Sequence, residues 1–129
     1  MPKSKPNPHI PNGLKPWPHE FRVAKILADA GHVVEFLPTG LRKTADMLID
    51  GIPYELKSPE FAHTKTIERA IKKALHQSNN LIVDASQMKH VDDVRVHRIL
   101  INQIKLRKSI KRLLYVNKKK EILDIFTLV

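Results

Sequence analysis

Three polar residues have the types and the spacing of a metal-dependent hydrolytic site. Glu55 and Lys57 lie two positions apart in a run of strand character, so their side chains are expected on one face of that strand. Asp46 begins a neighbouring run, and the dipeptide Asp50-Gly51 between the two runs favours a tight hairpin of antiparallel strands. This pairing would bring the carboxylates of Asp46 and Glu55 together at one edge of a sheet.

Carboxylates placed this way indicate a bound cation and a reaction at phosphorus. Two carboxylates in one place repel each other, and a divalent cation allows both to stay ionised. Mg²⁺ is expected, with Mn²⁺ and Zn²⁺ as alternatives, because Mg²⁺ typically uses one or two carboxylates and keeps positions for water and a phosphate oxygen. Lys57 would hold the attacking water or stabilise the negative charge of the transition state. The three residues therefore predict phosphodiester hydrolysis.

The composition predicts one basic domain that binds a polyanion. A chain of 129 residues has room for a single core, and 23 Lys and Arg against 13 Asp and Glu give a net charge of +10. Nucleic acid is the first partner to consider, with acidic lipid or an acidic protein as alternatives. The absence of cysteine excludes disulfides, a thiolate nucleophile and sulfur-bound zinc. No segment approaches the roughly 18 apolar residues of a membrane helix, so no membrane partner is expected.

Proline content divides the chain into an arm and a folded domain. Residues 1–18 hold six of the nine prolines, which favours an extended, weakly ordered segment. We predict an arm or linker over residues 1–17 and a nuclease domain over residues 18–129.

Hydrophobic periodicity and turn residues predict the order αβββαβαββ in that domain, an α/β class with one mixed sheet. In the last helix, Val94, Ile101 and Ile104 are expected to share the apolar face. The predicted helices cover residues 18–30, 64–77 and 92–109, and the predicted strands cover residues 32–37, 45–50, 52–57, 81–85, 113–116 and 122–128.

The order of residues and elements resembles the PD-(D/E)xK nuclease superfamily. That superfamily has an αβββαβ core, an acidic residue in its second strand and (D/E)xK in its third; Asp46 and Glu55-Leu56-Lys57 match, although Ala45 replaces the proline. The resemblance covers roughly residues 18–85. Many members also have an acidic residue in the first helix, so the resemblance implies that Glu20 completes the metal site with Asp46 and Glu55.

Two segments resemble a narrower group, the C-terminal toxin domains of bacterial contact-dependent growth inhibition proteins, many of which cleave tRNA. The segments are GLRKTADMLIDGIPYELKSP and HQSNNLIVD. This resemblance implies a tRNA substrate and a cognate immunity protein. It also implies a place in the C-terminal part of a larger secreted or surface protein, and action in the cytoplasm of a target bacterium.

Basic and polar residues near this motif are candidates for contacts with the nucleic acid. A charged helix face is often simply solvated, so solvation is the alternative for the helix members. The candidates are Arg42 and Lys43 before the second strand, Lys65, Arg69 and Lys72 along the second helix, and Gln77 at its end.

The residues leave two other functions open. One is a DNA endonuclease of the resolvase or restriction type, which would use the same site on another substrate. The other is a non-catalytic basic module that binds nucleic acid or a protein. The second alternative predicts binding without cleavage and no effect of a chelator.

Overall fold

A mixed sheet runs through the computed structural model, which describes residues 7–38 and 45–129. Within these residues the sheet has six strands in sequence order, and three α-helices lie against it. The predicted α/β class is confirmed. The strands are β1 (Val34–Phe36), β2 (Met47–Ile49), β3 (Ile52–Lys57), β4 (Asn80–Asp84), β5 (Arg112–Val116) and β6 (Ile122–Asp124), and the helices are α1 (Pro18–Asp29), α2 (Thr64–Ala74) and α3 (Asp93–Leu106).

The strand directions define one edge of the sheet that matters for the site. β1, β2 and β3 form an antiparallel meander, β3, β4 and β5 are parallel, and β6 returns antiparallel to β5. The parallel pairs arise because α2 connects β3 to β4 and α3 connects β4 to β5. The C-terminal ends of β3, β4 and β5 therefore share one edge, named here the carboxyl edge.

The helices cover both faces of the sheet. On one face α1 packs its buried Val23 and Leu27 in a cluster with Leu56 and Ile82. On the other face α2 and α3 enclose a second cluster, which contains alternate residues of the same strands. The members of that cluster include Ile67, Ile71, Leu81, Val83, Val96, Leu100 and Leu113. None of the helices in the described residues has the length and apolar character needed to cross a bilayer.

The apolar face predicted for α3 is right for Ile101 and Ile104, which pack in the core, but wrong for Val94, which is 64% exposed. Val96 and Leu100 complete the buried face. The buried positions recur three and four residues apart and face α2 and the sheet. The periodicity is hard to recognise in the sequence because the exposed Val94 and the buried Val96 are both apolar and only two positions apart.

The strand predicted over residues 122–128 is too long. β6 ends at Asp124, and Ile125–Leu128 forms a 3₁₀ helix. The Asp124 carboxylate accepts a hydrogen bond from Phe126 N at 3.0 Å, and Thr127 Oγ1 donates to Asp124 O at 2.6 Å. These local bonds replace strand pairing, although the apolar residues alone suit a strand.

The turn predicted at Asp50-Gly51 joins β2 to β3. Both residues have positive φ, 53° for Asp50 and 82° for Gly51, as a tight hairpin turn requires. The Asp50 side chain is held by Val33 N at 2.9 Å and by His32 Nδ1 at 2.7 Å. The turn is thus fixed to the segment that precedes β1, and it sets the register of the two strands.

The described part of the proline-rich segment lies against the edge strand β1. His9 N donates to Val34 O at 2.8 Å, and Phe36 N donates to His9 O at 2.9 Å. Asn7 also accepts a hydrogen bond from Lys25 Nζ on α1 at 2.9 Å. Hydrogen bonds thus hold the segment to the sheet and to α1, and Leu14 N donates to Pro11 O at 3.1 Å to close a turn.

Candidate active site

Asp46 and Glu55 face each other across the β2–β3 hairpin. Met47 pairs with Tyr54, and one step further Asp46 N donates to Tyr54 O at 3.0 Å, which places Asp46 opposite Glu55. Asp46 Oδ2 accepts a hydrogen bond from Leu56 N at 2.8 Å, so backbone contacts fix this carboxylate. Opposite residues of an antiparallel pair project from the same face, and the hairpin therefore brings the two carboxylates together.

Glu55 is a buried carboxylic acid that lacks a full set of partners. Its side chain is buried, and its Oε1 has no hydrogen-bond partner. Burial, the charge of Asp46 and a hydrogen bond with Asp46 together raise the pKa of Glu55 to about 8, although the nearby Lys57 lowers it. A carboxyl with a raised pKa is suited to binding a cation, because the positive charge would favour its ionised form.

Lys57 completes the predicted triplet at the carboxyl edge. Its Nζ lies 3.6 Å from Glu55 Oε2, and its side chain is only partly buried. The alternation of β3 places Glu55 and Lys57 on one face, as their spacing predicts. The structure brings Asp46, Glu55 and Lys57 together; their catalytic roles stay predictions.

Glu20 lies near the same site from the first turn of α1. Partial burial raises the pKa of Glu20, its hydrogen bond with Trp17 N lowers it, and the charge of Asp46 and a hydrogen bond with it raise it again. Its Oε1 accepts from Trp17 N at 3.1 Å, so Glu20 also caps the helix. Asp46 therefore interacts with both Glu20 and Glu55.

The donor set suits a cation with few protein ligands. In residues 7–38 and 45–129 no three histidine or acidic side chains are arranged to hold a metal ion. Asp46 and Glu55 form a pair, and the unpartnered Oε1 of Glu55 is a free oxygen donor. Mg²⁺ often takes only one or two carboxylates and fills its other positions with water and phosphate. The residues therefore fit an open Mg²⁺ site better than a structural metal site in which protein ligands fill every position.

Among the described residues, three of the predicted nucleic-acid residues lie together and one lies apart. Lys65, Arg69 and Lys72 line one shallow groove along the exposed face of α2, where Lys72 Nζ lies 3.8 Å from Glu68 Oε1. Gln77 belongs to the turn after α2, where the neighbouring Ser78 donates to Pro53 O at 2.9 Å. Gln77 thus lies by the start of β3, away from Lys57 at its end. Arg42 and Lys43 fall outside the described residues.

Phe61 and Lys89 lie close to the site, yet sequence reasoning did not single them out. Phe61 is 40% exposed in the segment that leads from β3 to α2, and Lys89 Nζ lies 5.8 Å from the centroid of its ring. An apolar aromatic residue between Pro59 and His63 is the one signal in the sequence. The partner of that residue is 28 positions away, so only the fold shows the pair.

Fold and site together define a class of protein: a small α/β domain with two carboxylates and a lysine at the carboxyl edge of a mixed sheet. Residues 43–122 match the family described as the contact-dependent growth inhibition CdiA C-terminal domain. This match covers more than half of the chain, and the chain belongs to that family. The expectation of a toxin domain of contact-dependent growth inhibition, used in competition between bacteria, is confirmed at this level.

A solved structure shares the fold. It is described as "CdiA-CT/CdiI toxin and immunity complex from Burkholderia pseudomallei", with a TM-score of 0.68 and 19% sequence identity. The alignment covers 82% of this chain and 80% of the other. At this identity the likeness concerns the fold alone. A comparison with curated protein sequences gives no match.

Proposed function

We propose that this domain is a metal-dependent endoribonuclease toxin that cleaves tRNA, of the PD-(D/E)xK type, with Mg²⁺ held by Asp46 and Glu55. One observation supports the chemistry above all. Glu55 is buried with an unpartnered oxygen, beside a second carboxylate and 3.6 Å from the Lys57 ammonium. A purely structural carboxylate at such a position would be expected to have its hydrogen bonds satisfied.

Each residue of the triplet has a separate task in this proposal. Bound Mg²⁺ would supply an activated water and offset charge on the phosphate. Asp46, fixed by Leu56 N, and Glu55 present their oxygens to one point. Lys57 donates a hydrogen bond to the attacking water or to a phosphate oxygen as negative charge develops. A bond forms between the water oxygen and phosphorus while the bond from phosphorus to the leaving oxygen breaks, and the leaving oxygen takes up a proton.

In this proposal Glu20 completes the metal site through a bound water, because three side chains of the described residues are not arranged to hold an ion directly. Its Oε1 caps α1, which leaves Oε2 for that water. The charge of Asp46 raises the pKa of Glu20, which supports a common environment for the two carboxylates. Ionisation of Glu20 is disfavoured by burial, and a cation at Asp46 would reverse that preference.

Charge and family membership support RNA as the substrate. The net charge of +10 favours a polyanion, and exposed Lys65 and Arg69 add to it along α2. The domain belongs to the contact-dependent growth inhibition family. Its sequence resembles toxin domains of that kind, many of which cleave tRNA. We also propose a cognate immunity protein, because the solved structure with this fold is a toxin and immunity complex.

The family description also supports a location. A C-terminal domain of this family is expected at the end of a larger surface protein. We propose that the domain acts in the cytoplasm of the target bacterium, where tRNA is available.

The test is cleavage of total tRNA and of plasmid DNA in buffer with Mg²⁺. The unaltered domain should cleave tRNA, and Glu55→Gln and Lys57→Met should each abolish cleavage while circular dichroism stays unchanged. Glu35→Gln is the matched control, because Glu35 is exposed on β1. Cleavage of plasmid alone would favour the DNA endonuclease, and undiminished cleavage by Glu55→Gln would refute the assigned site. Binding of tRNA without any cleavage would identify a non-catalytic module.

A further inference from the structure

A small pocket lies between the segment that follows β3 and the segment that precedes α3. Its lining combines an aromatic ring with several cationic or ionisable side chains, and one acid is present. The residues that matter here are Phe61, His63, Lys89, His90, Asp92 and Arg95. The proposed catalytic triplet does not use any of them.

The ring of Phe61 forms the apolar part of the pocket. It is 40% exposed, although a phenylalanine normally buries its ring. The His63 ring lies 5.8 Å away at an angle of 35°, and Lys89 Nζ lies 5.8 Å from the Phe61 centroid. An exposed aromatic face bordered by a cation is the usual platform for a stacked nucleobase.

The backbone holds the two sides of the pocket together. Phe61 and Lys89 form an isolated parallel bridge, and Lys89 N donates to Glu60 O at 3.0 Å. Met88, just before Lys89, is fully buried in the core. The platform is therefore largely preformed and would lose little conformational entropy when a base binds.

The charges of the pocket favour an anion next to the base. Among the described residues, neither Lys89 nor Arg95 forms an ion pair. The one acid, Asp92, accepts a hydrogen bond from Arg95 N at 3.3 Å as the N-cap of α3. Arg95 also borders a second groove with Arg98 and Asn102 between α2 and α3, so the positive surface continues beyond the pocket.

The pocket is close to the carboxyl edge. Phe61 lies four positions after Lys57, and an extended chain of that length spans at most roughly 14 Å. A strand of RNA with its scissile phosphate at Lys57 would therefore reach the pocket within a few nucleotides.

We propose that Phe61 stacks on an unpaired base of the RNA substrate, near the bond that is cut, and that Lys89 and Arg95 contact the phosphates beside that base. This inference rests on the proposed ribonuclease function. The recognised feature is a single-stranded nucleotide, because a base in a duplex is stacked on its neighbours and cannot contact the Phe61 ring.

The test measures the binding of a fluorescent single-stranded RNA oligonucleotide and of the matching duplex, in a Glu55→Gln background that prevents cleavage. Phe61→Ala and Phe61→Leu should each weaken single-strand binding about tenfold, Phe61→Trp should retain it, and duplex binding should not change. Phe126→Ala is the matched control, because Phe126 is 38% exposed in the 3₁₀ helix. Thermal unfolding verifies that each variant is folded.

Two results would overturn the proposal, and both are distinct from failure of the ribonuclease function. If Phe61→Leu binds the single strand as well as Phe61→Trp does, an aromatic ring is not needed. If all the Phe61 variants bind RNA normally but lose affinity for an immunity protein, the pocket is a protein-binding surface. A domain that binds single strands through Phe61 but cleaves nothing would refute the proposed function and leave the stacking site intact.

Discussion

Burial and the charges of neighbouring groups together determine whether the Glu55 carboxyl is ionised. Asp46 and burial favour the protonated acid, whereas Lys57 and any bound cation favour the carboxylate. Without metal, Glu55 therefore destabilises the fold whenever the pH forces it to ionise. In the proposed function the same group would be a metal ligand, and coordination would offset the free energy of its ionisation.

Stability of the metal-free domain should decrease as the pH rises. The folded pKa of Glu55 is about 8 against an ordinary value of 4.5, so the folded state binds this proton more tightly than the unfolded state. The stabilisation is complete below pH 4.5 and is lost as the pH rises through about 8. Thermal unfolding in chelator between these values should show a falling midpoint, and Glu55→Gln should remove most of the slope. An equal slope in both proteins would contradict the raised pKa.

Much of the triplet was predictable at the residue scale. Glu55 and Lys57 share a face because strands alternate, and Asp50-Gly51 specifies the turn that places Asp46 opposite Glu55. The burial of Glu55 was not predictable, since it depends on how neighbouring elements pack around β3. The contact between Phe61 and Lys89 was not predictable either, because the two residues lie 28 positions apart in the chain.

At the scale of elements, the β2–β3 hairpin determines whether the two carboxylates meet. Its turn depends on a residue that tolerates positive φ, and Gly51 has φ 82° with open space where a side chain would begin, since a Cβ there would meet no atom within 4 Å. Any loss on substitution there must come from backbone strain, because space is available.

Gly51→Ala should lower the free energy of unfolding by about 1 kcal/mol, because alanine disfavours positive φ. Gly51→Asn should recover part of this loss, since asparagine tolerates that conformation better. Urea unfolding measures both variants. Equal stability of the alanine and glycine proteins would show that the turn does not require the left-handed region.

The exposed face of α2 is the second element with a predicted role. Lys65 and Arg69 are free of ion pairs among the described residues, so they are available to phosphates. The double variant Lys65→Ala/Arg69→Ala should reduce the slope of log Kd for RNA against log salt by about 2, because each side chain would neutralise one phosphate.

A matched pair of lysines controls for net charge in that experiment. Lys108 and Lys111 are also exposed, but they lie between α3 and β5, at the opposite end of the parallel strands from the carboxyl edge. Lys108→Ala/Lys111→Ala should leave the slope nearly unchanged. A similar decrease in both double variants would mean that overall charge, and no particular surface, attracts the RNA.

At the scale of the whole molecule, the candidate active-site residues lie at one edge of the sheet, and helices cover both of its faces. The sequence predicted the element order and the single mixed sheet. It did not predict which helix covers which face, the exposure of Val94 on α3 or the end of β6. Those features depend on contacts between distant segments and on the side-chain bonds of Asp124.

Binding of Mg²⁺ at the proposed site of Asp46 and Glu55 should stabilise the folded domain. A ligand that binds only the folded state at ten times its Kd adds about 1.4 kcal/mol to the free energy of unfolding. Mg²⁺ should therefore raise the unfolding midpoint of the unaltered domain and of Glu35→Gln. It should have little effect on Asp46→Asn and Glu55→Gln. A rise of the same size in all four proteins would indicate a non-specific ion effect.

The contact of His9 with β1 has a consequence for colloidal behaviour. An open strand at the border of a sheet offers unpaired amides to other copies, a common start of aggregation. His9 occupies Val34 O and Phe36 N, and at the opposite border β6 has only three residues before the 3₁₀ helix. Removal of residues 1–9 would return those two groups to solvent. Concentrated solutions of the shortened chain should then become turbid sooner than those of the intact one.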